Sequence, residues 1–245
     1  MNKSLIYSIS SSPGKFGVKL YNKLFEIYSL PLIYKTLCVT DTEAFHELLY
    51  TLETTDKFFG LSISMPFKEI AYNYFKTKKY FSCPRISISL NTLKKENKLV
   101  KGTLTDYFIF KEFNRKLSCN INHILIYGNG AMSKLAFGYF SSKDYKCSVI
   151  ERNDLPEALR TCRRNNNIAF INATPIDLSG FIINDKSKYP ILDLPVRINQ
   201  KKLRDSYFSG YWATKIQFKH QFQFYTDIEI EMNTIEQTCY QIFGF

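Results

Sequence analysis

A short glycine turn, Gly128-Asn129-Gly130, stands between a strand-like run at 123–127 and a helix-like stripe at 131–141. Glycine at such a junction lets the backbone approach a pyrophosphate closely. The helix N-terminus beyond it favours negative charge. On this reading Gly128, Asn129, Gly130, Ala131 and Met132 make a shortened dinucleotide fingerprint. Glu151 follows about 20 residues later, where an acidic side chain commonly takes the ribose 2′-hydroxyl of NAD. Its neighbour Arg152 carries a planar fork of donors that suits a phosphate. The two also fit a plain surface ion pair. A second set of polar residues lies on strand-like runs. Ser8 and Ser10, Ser62 and Ser64, and Ser87, Ser89 and Asn91 each alternate with aliphatic residues. A period of two places these polar groups on one face. That face is either the solvent side of a half-exposed sheet or a pocket wall for a polyhydroxylated or carboxylate ligand.

Such residues need elements to position them. Leu5–Ser10 predicts a strand, and 14–28 a helix with Phe16, Leu20, Leu24 and Tyr28 on one stripe. Leu32–Val39 predicts a strand. Thr40 and Glu43 then predict a capping box, with Thr40 as N-cap, ahead of a helix bearing Phe45, Leu48, Leu49 and Leu52. Phe59–Ser64 predicts another strand, and Pro66 opens a helix at a position where proline is tolerated. Two strands, 85–93 and 99–104, are expected around the turn 95–98. After Asp106 the alternation restarts: helix 107–117, strand 123–127, helix 131–141, strand 146–151, helix 154–163 and strand 168–172. The tail, 211–243, is helical in pattern apart from a break near Thr226-Asp227. Repeated βα units predict an α/β chain with parallel sheet and helices on both faces.

The 245 residues suffice for one large or two small domains with a real core. Aromatics make up 16%, and the enrichment in Lys, Asn, Ile, Tyr and Phe runs through the whole chain, as a mutational bias would. The net charge of +11 is scattered in short pairs such as Lys78-Lys79, Lys94-Lys95 and Lys201-Lys202. With no long basic run and no nucleic-acid motif, neither nucleic acid nor membrane is an expected partner. A positive field instead helps to attract a carboxylate substrate and a phosphate-bearing cofactor. The six cysteines, at 38, 83, 119, 147, 162 and 239, form no CxxC pair and show no zinc spacing, so no metal is expected. Reduced thiols, a start too weak for a signal peptide and no long apolar stretch together predict a cytoplasmic protein.

The segment Ser62-Ile63-Ser64-Met65-Pro66-Phe67-Lys68-Glu69 resembles the shikimate dehydrogenase motif in which a strand ends in a Pro-x-Lys turn. Ser89-Leu90-Asn91-Thr92-Leu93 is similar to that family's Val-Asn-Thr segment. Gly102-Thr103-Leu104-Thr105-Asp106 is similar to its Asn-Thr-Asp segment, with Leu104 in place of the usual Asn. The Gly-Asn-Gly turn, Asn172-Ala173-Thr174-Pro175, Ser209-Gly210, and Gln217 with Gln221-Phe222 and Tyr225-Thr226 follow in the family's order. The entry Ser12-Pro13-Gly14-Lys15-Phe16-Gly17 resembles the shikimate dehydrogenase-like branch most.

The resemblance implies two domains: a mostly parallel α/β substrate domain, 1–106 completed by helices in 211–245, and a Rossmann-like dinucleotide-binding domain, 107–210. It implies Lys68 and Asp106 as a catalytic acid–base pair for reduction of a ketone by hydride. Ser10 and Ser12 would hold a substrate carboxylate, with Ser8 able to share that role. Ser64 would replace the family's threonine, and Asn91, Asp106 and Gln217 would bind ring hydroxyls. Asn172, Thr174 and Gly210 would join the glycine turn at the cofactor. The implied reaction is NADP-dependent interconversion of 3-dehydroshikimate and shikimate in aromatic amino acid biosynthesis, by a monomer or homodimer. NAD is the alternative cofactor because of Glu151. Quinate or an amino analogue is the alternative substrate, and a binding or regulatory protein with little turnover the alternative function. The chain departs from the family at Asp193-Leu194-Pro195, which is short and lacks a tyrosine, and after Pro175, where the usual Gly-Met is missing.

Overall fold

Serine, isoleucine and tyrosine alternate through Ser4–Ser10, which forms strand β1. The computed structural model describes residues 3–12, 14–55, 58–83, 89–178, 189–196 and 205–244. Pro13, Ser87 and the rest of 84–88 therefore lie outside the described residues. The chain separates into two units, Met1–Thr105 with Phe218–Phe245 and Asp106–Gln217.

In the first unit β1 is followed by α1 (Phe16–Ile27), β2 (Leu32–Cys38), α2 (Thr42–Thr54), β3 (Phe58–Ile63), α3 (Lys68–Phe75), β4 (Phe81–Ser82), β5 (Thr92–Glu96) and β6 (Leu99–Thr103). The sheet order is β2-β1-β3-β5-β6-β4. β1 runs parallel to β2 and β3, and β4 parallel to β6. The β5–β6 hairpin is antiparallel, both within itself and against β3. One face of this sheet buries Ile9, Leu61 and Ile63 against Phe45, Leu49 and Leu52 of α2 and Ala71 and Phe75 of α3. The chain returns in α7 (Gly210–Thr226), which crosses the boundary between the units, and α8 (Met232–Phe243). Asp227 takes a positive φ of 59° between these two helices, and its carboxylate meets the buried Lys94 ammonium at 2.5 Å.

The second unit holds α4 (Asp106–Lys116), β7 (His123–Tyr127), α5 (Ala131–Ser141), β8 (Lys146–Ile150), α6 (Leu155–Arg164), β9 (Ile168–Asn172), β10 (Ile191–Asp193) and β11 (Tyr207–Ser209). Its sheet, β11-β10-β9-β7-β8, is parallel throughout. A parallel sheet is covered on both faces, so its central strands are apolar without alternation. β9 is buried at every position and β7 at all but its first. The expected α/β class and the Rossmann-like sheet are as the sequence pattern indicated.

Four local expectations need correction. Asp41, not Thr40, is the N-cap of α2. Its carboxylate accepts the Ala44 N–H at 2.8 Å, a bond worth about 1 kcal/mol at such a site. Pro66 lies in the turn before α3, which begins at Lys68. Of the strand expected at 85–93, residues 85–88 lie outside the described residues, Ser89–Asn91 run as irregular chain bonded to the end of β3, and β5 starts at Thr92. There Leu90 N–H bonds the Lys68 carbonyl and Asn91 N–H the Thr103 carbonyl. The short strands β10 and β11 had no periodic signal to announce them.

Candidate functional site

The polar face of β1 and β3 answers the question the serine alternation left open. Ser8 and Ser62 are partners in register, and Ser62 is buried. Its hydroxyl meets the Tyr225 hydroxyl of α7 at 2.8 Å. Tyr34 shares Ser62 and Ser8 as hydrogen-bond partners. The middle of the face is therefore neither solvated nor a pocket wall. The serines are short enough to leave room for tyrosine hydroxyls beneath the helices. Gly60 serves the same packing: a Cβ there would stand 2.5 Å from the Leu93 carbonyl and 2.8 Å from the Tyr225 ring. Burial pushes the Tyr34 phenol up to about 12, and it drives Tyr21 and Tyr225 well above the ordinary tyrosine value.

Past the ends of β1 and β3, Ser12 and Ser64 are exposed, where ligands commonly meet parallel strands. Ser10 closes β1, and its Oγ accepts the Ser12 N–H at 3.1 Å, a tight turn that brings the two serines together. Ser64 follows β3 and is exposed, with its N–H on the Ile9 carbonyl. Lys68 is the first residue of α3 and half-buried. Its carbonyl accepts from Leu90, and the Ile63 N–H donates to the Asn91 carbonyl at 2.7 Å. Main-chain bonds thus gather Ser10, Ser12, Ser64, Lys68 and Asn91 at the C-terminal ends of β1 and β3.

Asn91 is wholly buried. Its Oδ1 accepts the Thr105 N–H at 2.8 Å and the hydroxyls of Thr105 and Thr92 at 3.1 and 2.9 Å. Its Nδ2 has no hydrogen-bond partner. A buried donor of this kind costs about 1–3 kcal/mol unless a ligand or water takes it. Asp106 comes next after Thr105 in the chain and opens α4, a position where the helix dipole favours a carboxylate. It is buried, and Gln217 Nε2 donates to its Oδ1 at 2.7 Å.

In the second unit the expected cofactor residues collect at the ends of β7, β8 and β9. Gly128 has a φ of +114°, and a Cβ there would lie 2.7 Å from Thr174 Cγ2, so glycine is required twice over. The buried Ser133 hydroxyl donates to the Gly128 carbonyl at 2.6 Å and fixes the turn. Gly130 is the N-cap of α5. It offers no capping side chain, and the space at its Cβ position is open. The first-turn N–H groups of α5, at Ala131 and Met132, thus face no side-chain acceptor from the cap. This is the cradle that an anionic pyrophosphate fits. Glu151 and Arg152 are exposed immediately after β8. Asn172 is wholly buried and spends its side chain on protein groups. Nδ2 donates to Asp193 Oδ1 and the Ile176 carbonyl, and Oδ1 accepts the N–H and hydroxyl of Thr174. Asp193 also accepts the Tyr207 hydroxyl at 2.5 Å. Gly210 lies under Leu194 and Pro195, where a Cβ would stand 2.2 Å from the Pro195 carbonyl. Among the described residues no cluster of His, Cys, Asp and Glu is arranged to hold a metal, and no helix is long and apolar enough to cross a membrane.

No protein-family model matches the chain. A shikimate dehydrogenase (NADP(+)) from Caldicellulosiruptor bescii is 26% identical over 136 residues, 55% of this chain. The match spans 44% of that relative, less than half its length. Solved structures extend the likeness to nearly the whole chain. A shikimate 5-dehydrogenase-like protein superposes with a TM-score of 0.74 at 21% identity, covering 97% of this chain and 96% of its own. The Thermus thermophilus shikimate 5-dehydrogenase in complex with NADP(H) and shikimate gives 0.72 at 15% identity, covering 97% and 99%. The Listeria monocytogenes enzyme in complex with shikimate and NAD gives 0.74 at 16%, covering 96% of each. The chain has the shikimate dehydrogenase fold and resembles that family in sequence. Within this fold, residues assigned no site role from sequence do much of the positioning. Thr92 and Thr105 hold Asn91, with Gln221 bonded to Thr92; Ser133 holds Gly128; and Asp193, itself bonded by Tyr207, holds Asn172.

Proposed function

We propose that this chain is an NADP-linked oxidoreductase that interconverts 3-dehydroshikimate and shikimate, or a close cyclitol carboxylate. The observation that carries the reading is the buried, unpartnered Asn91 Nδ2 beside the gathered strand ends. It is a donor with no structural use and fits a ligand hydroxyl. The substrate part is 1–106 with helices in 211–245, and the cofactor part is 107–210. Ser10 and Ser12 hold the carboxylate, and Ser64, Asn91, Asp106 and Gln217 take the ring hydroxyls. Gln217, which donates through Nε2 to Asp106, keeps its Oε1 for a hydroxyl proton.

The nicotinamide, when bound, supplies or accepts the hydride at the substrate carbon. Lys68 gives a proton to the ketone oxygen in reduction and takes it from the hydroxyl in oxidation. Asp106 orients that hydroxyl and balances the ammonium charge. Gly128 to Met132 receive the pyrophosphate, with Glu151 and Arg152 at the adenosine ribose. Thr174 lies beside the turn, and Asn172 contributes by holding Thr174 in place. NADP is preferred modestly, since Arg152 favours a 2′-phosphate and Glu151 opposes it.

A second reading, a binding protein of the same fold with little turnover, is favoured by one feature. The short Asp193-Leu194-Pro195 segment, which lacks the tyrosine, is pressed onto Gly210. A panel of shikimate, quinate and amino analogues with NADP and NAD tests both. Turnover with at least one pair supports the enzyme. Quenching of cofactor fluorescence by a cyclitol without turnover supports the binding protein and overturns the catalytic roles.

A further inference from the structure

A row of buried polar side chains crosses the first unit and ends at Asn91. Tyr21 of α1 and Gln221 of α7 are joined at 2.8 Å, hydroxyl to Oε1. Gln221 Nε2 meets Thr92 Oγ1 at 2.9 Å, and Thr92 Oγ1 meets Asn91 Oδ1 at 2.9 Å. All four are buried, Gln221 at 3% exposure and the others completely.

The direction of this row is fixed by one group. A backbone N–H only donates, so the Thr105 N–H makes the bonded atom of Asn91 its carbonyl oxygen. Thr92 has a single hydroxyl proton and gives it to that oxygen. Thr92 therefore accepts from Gln221, which must present its amide nitrogen. Gln221 then turns its oxygen to Tyr21, whose single proton goes there. Amide orientation is usually a matter of inference from neighbours, and here an irreversible donor sets it. The outcome at the end of the row is an Asn91 whose Nδ2 is the end left over. A core at this position has no packing need for a glutamine or a phenol hydroxyl. Both cost desolvation that an apolar pair would avoid.

We infer that Gln221, with Tyr21 behind it, is a positioning residue for ligand recognition. It keeps Thr92 as a donor to Asn91 Oδ1, and so keeps the Asn91 Nδ2 donors turned toward a hydroxyl-bearing ligand. The inference rests on the reading of Asn91 as a substrate contact.

The test uses the full chain with shikimate and NADP. Gln221→Leu removes both amide bonds at similar volume. Tyr21→Phe removes only the terminal hydroxyl and serves if the glutamine variant does not fold. The expected rise in shikimate KM is about fivefold for Gln221→Leu and about twofold for Tyr21→Phe, the scale of one lost hydrogen bond. kcat and the NADP KM stay within about twofold of the parent. In an Asn91→Ala background, Gln221→Leu adds nothing further to KM, since both act through one amide. Effects that multiply in the double variant, or an equal loss in kcat and both KM values, overturn the inference as a mere stability effect. The Asn91 side-chain amide resonances of isotope-labelled protein read the row apart from activity. They are expected to shift in Gln221→Leu and in Tyr21→Phe without ligand. No shift in either variant overturns the row. A shift in the variants with no response of the parent amide to saturating shikimate supports the row and overturns the substrate reading instead.

Discussion

Among the described residues two asparagines are wholly buried, Asn91 just before β5 and Asn172 at the end of β9, and they differ in what is left open. Asn172 has donors and acceptor all engaged, while Asn91 keeps one donor group unpartnered. Asn172→Ala is therefore a stability change. It strips a donor from the buried Asp193 carboxylate and is expected to cost about 2–3 kcal/mol by chemical denaturation, with substrate KM unchanged at low temperature. A loss of substrate affinity in a protein of parental stability would contradict this. Glu151 and Arg152 are exposed, so under the proposed function each would act on the cofactor through a screened contact. Glu151→Ala is expected to raise the NADP-to-NAD ratio of kcat/KM by roughly threefold, and Arg152→Ala to lower it by a similar factor. An unchanged ratio in Glu151→Ala would mean that this carboxylate does not face the ribose. Of the site, the glycine turn was legible because close backbone packing at a positive φ demands glycine, as at Gly128; Lys68 and Asp106 stood out through the motif resemblance alone. The role of the serines was not legible. Alternation identifies a face, but not that Tyr34 and Tyr225 would come to cover it.

The elements were legible where they are long and regular. The strands 123–127 and 168–172 and the helix 131–141 form as expected, since a βα series with apolar strands leaves few alternatives. The expectation failed at 89–91, where tertiary hydrogen bonds from Lys68 and Thr103 override a β-like sequence. It also missed β10 and β11, three residues each, too short to show a period. Glycine in β3 is the sharpest test of the packing between sheet and helix. A Cβ at Gly60 meets a backbone carbonyl that cannot swing aside, as well as the Tyr225 ring. Gly60→Ala is expected to destabilise by about 2–3 kcal/mol, read as a lowered denaturation midpoint with unchanged slope. A midpoint equal to the parent's would show that α7 does not pack on β3 as described.

The molecule as a whole carries its tyrosines where pH can reach the fold. Tyr34 is raised from 10.0 to about 12, and Tyr21 and Tyr225, in the same buried group, are raised too. A folded value above the unfolded one gives stability that is complete below pH 10 and is lost as pH climbs toward 12. For Tyr34 alone the loss by pH 12 is on the order of 2 kcal/mol. Tyrosinate absorbance is expected to rise together with loss of helical circular dichroism above about pH 10. A phenol titration complete before any unfolding would contradict the buried cluster. The fold itself belongs to a shape shared by shikimate dehydrogenases, and a shape does not establish turnover. Lys68 decides that question most directly. The measurement is the rate of NADPH formation with saturating shikimate and NADP, in the parent and in a folded Lys68→Ala variant, alongside the shikimate dissociation constant of each. The account predicts turnover in the parent, a loss of at least about a hundredfold in kcat for Lys68→Ala, and a much smaller change in affinity. A Lys68→Ala protein that turns over within a few-fold of the parent would contradict it.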